Sequence, residues 1–194
     1  MLQATGLSCQ RSRRWLFNDL SISLAGGELL HVRGANGSGK STLLRILMGL
    51  YSDYEGEIEW QLERAPLYLG HKTSVNLRLT AKENIQWICR LQDVHVAQSD
   101  IDQALSQIGL AGYHDTPCGR LSEGQQKRVG LARFFLCQNK LWIMDEPFSA
   151  IDITGLSFLY SALETHVREG GSAILSSHQE LKLAVPVKYL ELTP

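Results

Sequence analysis

The chain has 194 residues, 44% of them hydrophobic, and a mean hydropathy of −0.11, which suits one domain, or one compact core with an inserted lobe. Its net charge of −1 and pI of about 6.6 argue against a general basic surface for nucleic acid. No apolar run reaches the roughly 18 residues of a membrane span, and the four cysteines, without C-x-x-C spacing, read as reduced, mostly buried thiols.

In chain order, "LQATGLS" and "LFNDLSISL" alternate as strands do, and Gly26-Gly27 turns the chain. The pair Arg13-Arg14 precedes a stretch broken by Asn18 and Asp19, so it leads into a strand rather than a signal segment, and Trp15 is expected in the core. "ELLHVR" is a short apolar strand that runs into a Gly-rich loop, and "KSTLLRILMGL" is a helix ending near Gly49. "GEIEW" and "PLYLG" are the next strands. From Thr80 to about Cys137 the pattern is helical: Thr80 with Glu83 forms a capping box, Ser99 or Asp100 caps "IDQALSQIGL", and Ser122 with Gln125 forms a second box. "LWIMD" is a buried strand, a long helix runs from Asp152 to Gly170-Gly171, and "SAILSSH" is again a buried strand. The expected fold is α/β, with a core over 1–71 and 138–194, an N-terminal antiparallel β subdomain, and an inserted helical lobe over about 72–137.

"GANGSGKST", from Gly34 to Thr42, fits G-x-x-x-x-G-K-[ST] between a strand and a helix. Gly34, Gly37 and Gly39 let the backbone wrap so that the N–H groups of Ala35, Asn36, Ser38 and their neighbours point at oxygen anions. The helix dipole adds positive potential. Lys40 is placed to reach the β- and γ-phosphates of a nucleotide, and the Ser41 hydroxyl to ligate Mg²⁺. "LWIMDEP" ends a buried strand in Asp145, which would hold Mg²⁺ through water or directly, and Glu146, which could polarise an attacking water. His178 closes the later strand, where a γ-phosphate contact is needed.

The order P-loop, helical lobe, "LSEGQ", strand-Asp-Glu, and strand ending in His resembles the ATP-binding subunits of ABC transporters over essentially the whole chain. The resemblance implies that two copies pair head to tail around two ATPs, so that Leu121, Ser122, Glu123, Gly124 and Gln125 of one copy form the signature facing the nucleotide held by Lys40 of the other. "SAID" matches the D-loop, with Ser149 and Asp152. It also implies ATP and Mg²⁺ as cofactors and peripheral attachment to a membrane subunit, with docking around Thr73 to Trp87.

Two positions depart from the family pattern. The place of the adenine-stacking aromatic is taken by Arg11, whose guanidinium plane can replace part of that stacking. The place of a Gln that meets Mg²⁺ or the attacking water is taken by His71, which can donate or accept but would make the contact pH-sensitive. Together with "LTAKEN", "PFSAID" and the short length, they resemble the ATP-binding subunits of the haem exporter of cytochrome c maturation. That narrower resemblance implies membrane haem-exporter subunits as partners, a place on the cytoplasmic face of the inner membrane, no nucleic acid, and no haem bound by this chain, which has no C-x-x-C-H. The alternatives are an ATPase of another transporter and a soluble ABC ATPase of iron–sulfur assembly, DNA or the ribosome. The second would usually carry coiled-coil arms or a tandem ATPase domain. A P-loop kinase or GTPase would leave "LSEGQ" unexplained.

Overall fold

The computed structural model describes residues 1–70, 72 and 74–193. The chain divides into two compact units, Met1–Tyr68 with Asn139–Pro147 and Leu163–Pro194, and Leu69–Gln138 with Phe148–Ala162.

The first unit opens with three antiparallel strands, β1 (Leu2–Arg11), β2 (Arg14–Leu24) and β4 (Glu55–Trp60), in the order β2-β1-β4. The β1–β2 hairpin turns at Ser12 (φ 50°) and Arg13 (φ 64°), two left-handed residues in a row, as the twist of a tight hairpin demands. Trp15 corrects a sequence expectation: it is 47% exposed and pairs with Gln10 beside that turn. Irregularities in the pairing between Leu7 and Gln10 break simple alternation, and the consecutive residues Leu16 and Phe17 take the buried places instead.

A second, five-stranded sheet has the order β5-β6-β7-β3-β8, from β3 (Leu29–Gly34), β5 (Leu67–Leu69), β6 (Leu141–Asp145), β7 (Ser172–Ser176) and β8 (Val187–Leu192). The pairs β6/β7, β7/β3 and β3/β8 are parallel. Every residue of β6 and β7 is buried, which explains why both read as continuous apolar runs rather than alternating ones. Helix α1 (Lys40–Leu47) packs its Leu43, Leu44, Ile46 and Leu47 into the core of this unit. Because β3, β6 and β7 are neighbours and run the same way, the segments that follow them emerge side by side at one edge of the sheet, where open α/β sheets carry their ligands.

The second unit is helical, with α2 (Ala81–Leu91), α3 (Gln98–Gln107), a 3-10 turn at Cys118–Arg120, α4 (Glu123–Leu136) and the first part of α5 (Ile153–Arg168). Thr80 and Glu83 cap α2 as expected. The cap of α3 differs: it is Ala97, and Asp100 Oδ2 accepts the Ala97 N–H at 3.1 Å from inside the first turn. The polar residue satisfies the helix start from the third position, so neither Ser99 nor Asp100 is the cap. Beyond the stretch read as helical in the sequence, this unit takes in Phe148–Ala162, tied to it by the Phe135–Phe158 ring contact and by the Arg128–Asp152 ion pair at 3.0 Å. All four cysteines are buried, and none is in a disulfide among the described residues.

Candidate functional site

The loop between β3 and α1 is held by its own backbone. Gly39 has φ 102°, and a Cβ there would stand 2.9 Å from Leu16 Cβ. At Gly34 (φ 142°) a Cβ would meet Leu192 O and Ser38 Oγ, each at 2.5 Å. Only glycine fits both the backbone region and the space. Gly39 is also the N-cap of α1, with no side-chain cap and no acidic residue in the first turn. The first N–H groups of α1 therefore keep their donors available to an anion. Ala35, Asn36 and Gly37 line the exposed rim, while Ser38 is buried. Lys40 is 7% exposed and folds back over the loop, donating to the carbonyls of Gly34 at 2.8 Å and Ala35 at 3.2 Å. Thr42 is half-buried behind it.

At the end of β6, Asp145 is 1% exposed. Its Oδ1 accepts from Ser41 Oγ at 3.0 Å and from Ser176 Oγ at 2.8 Å. Its Oδ2 is buried with no hydrogen-bond partner among the described residues. An unpartnered buried carboxylate oxygen beside an exposed hydroxyl is the donor set a hard cation takes, so these residues fit Mg²⁺. Glu146 follows in a left-handed conformation (φ 49°), costly for a residue with a side chain, and its N–H donates to Ser176 Oγ at 2.9 Å. Ser176 thus ties the Asp145 carboxylate to the Glu146 backbone. Sequence reasoning missed it; the signal was a serine at the end of an otherwise apolar buried strand.

Just past β7, the exposed His178 brings Nε2 to 3.3 Å from Lys40 Nζ and 3.4 Å from Glu146 Oε1. Three groups expected from separate motifs therefore meet at one point. His178 and Gly34 also border an open cleft of about 410 Å³, lined further by Arg33, Ser177, Gln179, Glu180 and Glu191. Arg11 sits exposed at the end of β1, paired with Arg14, one step from the exposed indole of Trp15. His71 lies outside the described residues.

"LSEGQ" belongs to the second unit. Ser122 caps α4, its hydroxyl accepting from Gln125 N at 3.2 Å while Gln125 Oε1 accepts from Ser122 N at 2.9 Å. Leu121 is buried and anchors the start, and Glu123 places an acid in the first turn. A Cβ on Gly124 would lie 3.3 Å from Ala150 O, so the glycine lets the α4 start approach the D-loop backbone. Lys127 Nζ donates to Ser149 O and Oγ at 2.6 and 2.9 Å, and Arg128 pairs with Asp152, whose Oδ1 accepts from Gly155 N at 2.9 Å. The signature helix and the D-loop form one bonded cluster, which the sequence did not reveal.

The family model described as ABC transporter matches residues 17–149. The chain belongs to the ABC transporter family. It is 42% identical to a cytochrome c biogenesis ATP-binding export protein CcmA of Salmonella paratyphi A, covering 100% of this chain and 97% of that one. It is 40% identical to the protein of that name from Saccharophagus degradans, covering 91% and 86%. Its fold matches a dimeric ATP-binding cassette solved in a post-hydrolysis state with ADP and Pi, at a TM-score of 0.84 and 19% identity, covering 100% and 97%. As a member of this family the chain is a nucleotide-binding ATPase subunit, hydrolysing ATP to ADP and phosphate. No helix among the described residues is long and apolar enough to cross a membrane.

Proposed function

We propose that this chain is the ATP-hydrolysing subunit of the haem-export complex of cytochrome c maturation. It acts as a homodimer bound peripherally beneath integral membrane haem-exporter subunits, on the cytoplasmic face of the inner membrane. The observation that carries the ATPase chemistry is the meeting of Lys40, Glu146 and His178 beside the Ser41–Asp145–Ser176 chain. Whole-length identity of 42% to an export protein of cytochrome c biogenesis supports the transport role.

The nucleotide phosphates lie at the α1 start, against the loop from Gly34 to Thr42, and Lys40 leaves its carbonyl partners to meet the β- and γ-phosphates. Bound at Ser41 and Asp145, Mg²⁺ would neutralise phosphate charge. Glu146 accepts a proton from water as its oxygen attacks the γ-phosphorus, and the bond to the β–γ bridging oxygen breaks, leaving ADP and phosphate. His178 would contact the γ-phosphate, Arg11 would stack on the base, and His71, outside the described residues, would take the role of the Gln that meets the water or the metal. The start of α4, from Leu121 to Gln125, faces the ATP of the second copy. Ser149 and Asp152 hold the D-loop beside it. The exposed apolar residues Leu77 and Trp87, 52% and 50% exposed, suit docking on a membrane subunit. The chain itself binds neither haem nor nucleic acid in this reading.

Cells carrying only Lys40→Ala chain test the proposal through haem-stained gels. Mature c-type cytochromes should be lost while haem synthesis continues. Normal levels would sink the haem assignment and leave an ABC ATPase subunit of another transporter.

A further inference from the structure

The sequence reads β3 as an apolar strand, yet its centre holds a histidine with no solvent exposure. His31 lies between Leu175 of β7 and Tyr189 of β8. Its Nε2 is 3.0 Å from the carbonyl oxygen of Ser177, and its Nδ1 accepts from Arg33 Nε at 3.3 Å. Arg33 in turn lies 3.9 Å over the Tyr189 ring, which tilts against the His31 ring at 5.8 Å.

These contacts fix the state of the ring. A guanidinium nitrogen only donates, so Nδ1 presents its lone pair and Nε2 carries the proton. Nε2–H therefore donates to the Ser177 carbonyl. Burial pushes the imidazole below its ordinary pKa and the Arg33 charge pushes the same way, while the Ser177 carbonyl bond and Glu191 oppose them; the net shift is downward, in keeping with the neutral ring that the Arg33 contact requires.

The position of the accepted carbonyl gives the bond its consequence. The β3–β7 ladder ends at Val32 and Ser176. The Ser177 carbonyl is the first beyond it, and it belongs to the peptide that carries the His178 nitrogen. Within that short stretch, Ser177 Oγ accepts from Gln179 N at 3.0 Å. We propose that His31 is a positioning residue for ATP hydrolysis: its Nε2–H replaces the missing ladder bond and holds the Ser177–His178 peptide so that the His178 ring meets Lys40 and Glu146. Arg33, stacked over Tyr189, holds the tautomer that makes the donor. This inference rests on the ATPase reading of that site.

The test is steady-state MgATP hydrolysis by the assembled complex containing the full chain, with His31→Leu, His31→Gln, His178→Ala and the His31→Leu/His178→Ala double variant. Losing a single buried donor that orients the γ-phosphate contact should lower kcat by roughly tenfold with His31→Leu. KM for ATP should move less than about threefold, because the α1 start still holds the phosphates. Gln carries a terminal N–H₂ donor and should restore kcat to within about threefold of wild type. Because His31 acts through His178, adding His31→Leu to His178→Ala should change the rate less than about twofold. Thermal melting of each variant separates orientation from unfolding. Wild-type kcat in His31→Leu, equal loss in the Leu and Gln variants, or full additivity with His178→Ala would each overturn the proposal. Unchanged hydrolysis in a Lys40→Ala control would instead overturn the ATPase reading itself.

Discussion

Two helix starts in this protein look alike in sequence and differ in how their backbone donors are used. At α1 the cap is Gly39, with no side chain to accept and no acid in the first turn. At α4 the cap is Ser122, closed reciprocally by Gln125, with Glu123 in the first turn. The first start leaves its N–H groups to a ligand, and the second satisfies part of its own need and repels an anion slightly. So α1 can hold phosphate in a lone subunit. The α4 start has too little to offer alone, and in the proposed dimer it closes over a phosphate already held by another chain. A Gly-rich loop makes a primary anion site; a capped helix of similar wording makes a secondary one.

The comparison breaks most visibly with Glu146→Gln. Hydrolysis should fall by roughly 10²–10⁴ as the base is lost, while ATP stays at the α1 start. Sedimentation of the complex-forming chain with ATP and Mg²⁺ should then show an accumulated dimer, because the second start closes and does not reopen. A strictly monomeric variant in the presence of the membrane partner would count against the sandwich.

Next in size is Lys40→Ala, which removes the ammonium proposed to meet the phosphates and should lower the hydrolysis rate by about 10²–10³. Retained turnover in the assembled complex would remove α1 as the phosphate site. Mixing this chain with Ser122→Arg gives a dimer in which one composite site has both lesions and the other has neither. Activity should return in part in the mixture if one intact site suffices, and a mixture as inactive as either parent would mean that both sites are required.

The smallest effect is on stability. Ser122→Ala opens the capping box and should cost about 1 kcal/mol, read by urea denaturation. No corresponding loss is available at α1, whose cap has no side chain. Changing that cap by Gly39→Ala instead forces a Cβ to 2.9 Å from Leu16 at φ 102°, so it should disturb the loop and weaken ATP binding. A Gly39→Ala chain with wild-type affinity would show that the left-handed cap is dispensable.

The parts of this site that could be read from sequence are those where covalent spacing does the positioning. The glycines between Gly34 and Ser41 stand at the fixed intervals that the proposed phosphate loop needs, and the apolar runs of β6 and β7 announce strands buried on both faces. The positions of Asp145, Glu146 and His178 were legible because each ends or follows such a strand. What stayed hidden depends on neighbours distant in sequence. Ser176 matters through Asp145, 31 residues away, and His31 through Ser177, 146 residues away. Lys127 and Ser149 meet across 22 residues. Trp15 was misplaced because pairing irregularities and a left-handed turn override alternation, and the α3 cap because an acid at the third position can serve the same backbone donor as a cap.

The central claim is that a single subunit holds ATP at the α1 start alone, and the most direct measurement is calorimetric titration of MgATP into the isolated full chain. Wild type and Ser122→Arg should bind with affinities within about twofold of each other. Lys40→Ala should bind at least about tenfold more weakly, as expected for loss of a charge-assisted hydrogen bond to phosphate. Weakening by Ser122→Arg equal to that of Lys40→Ala would contradict the division of labour between the two starts.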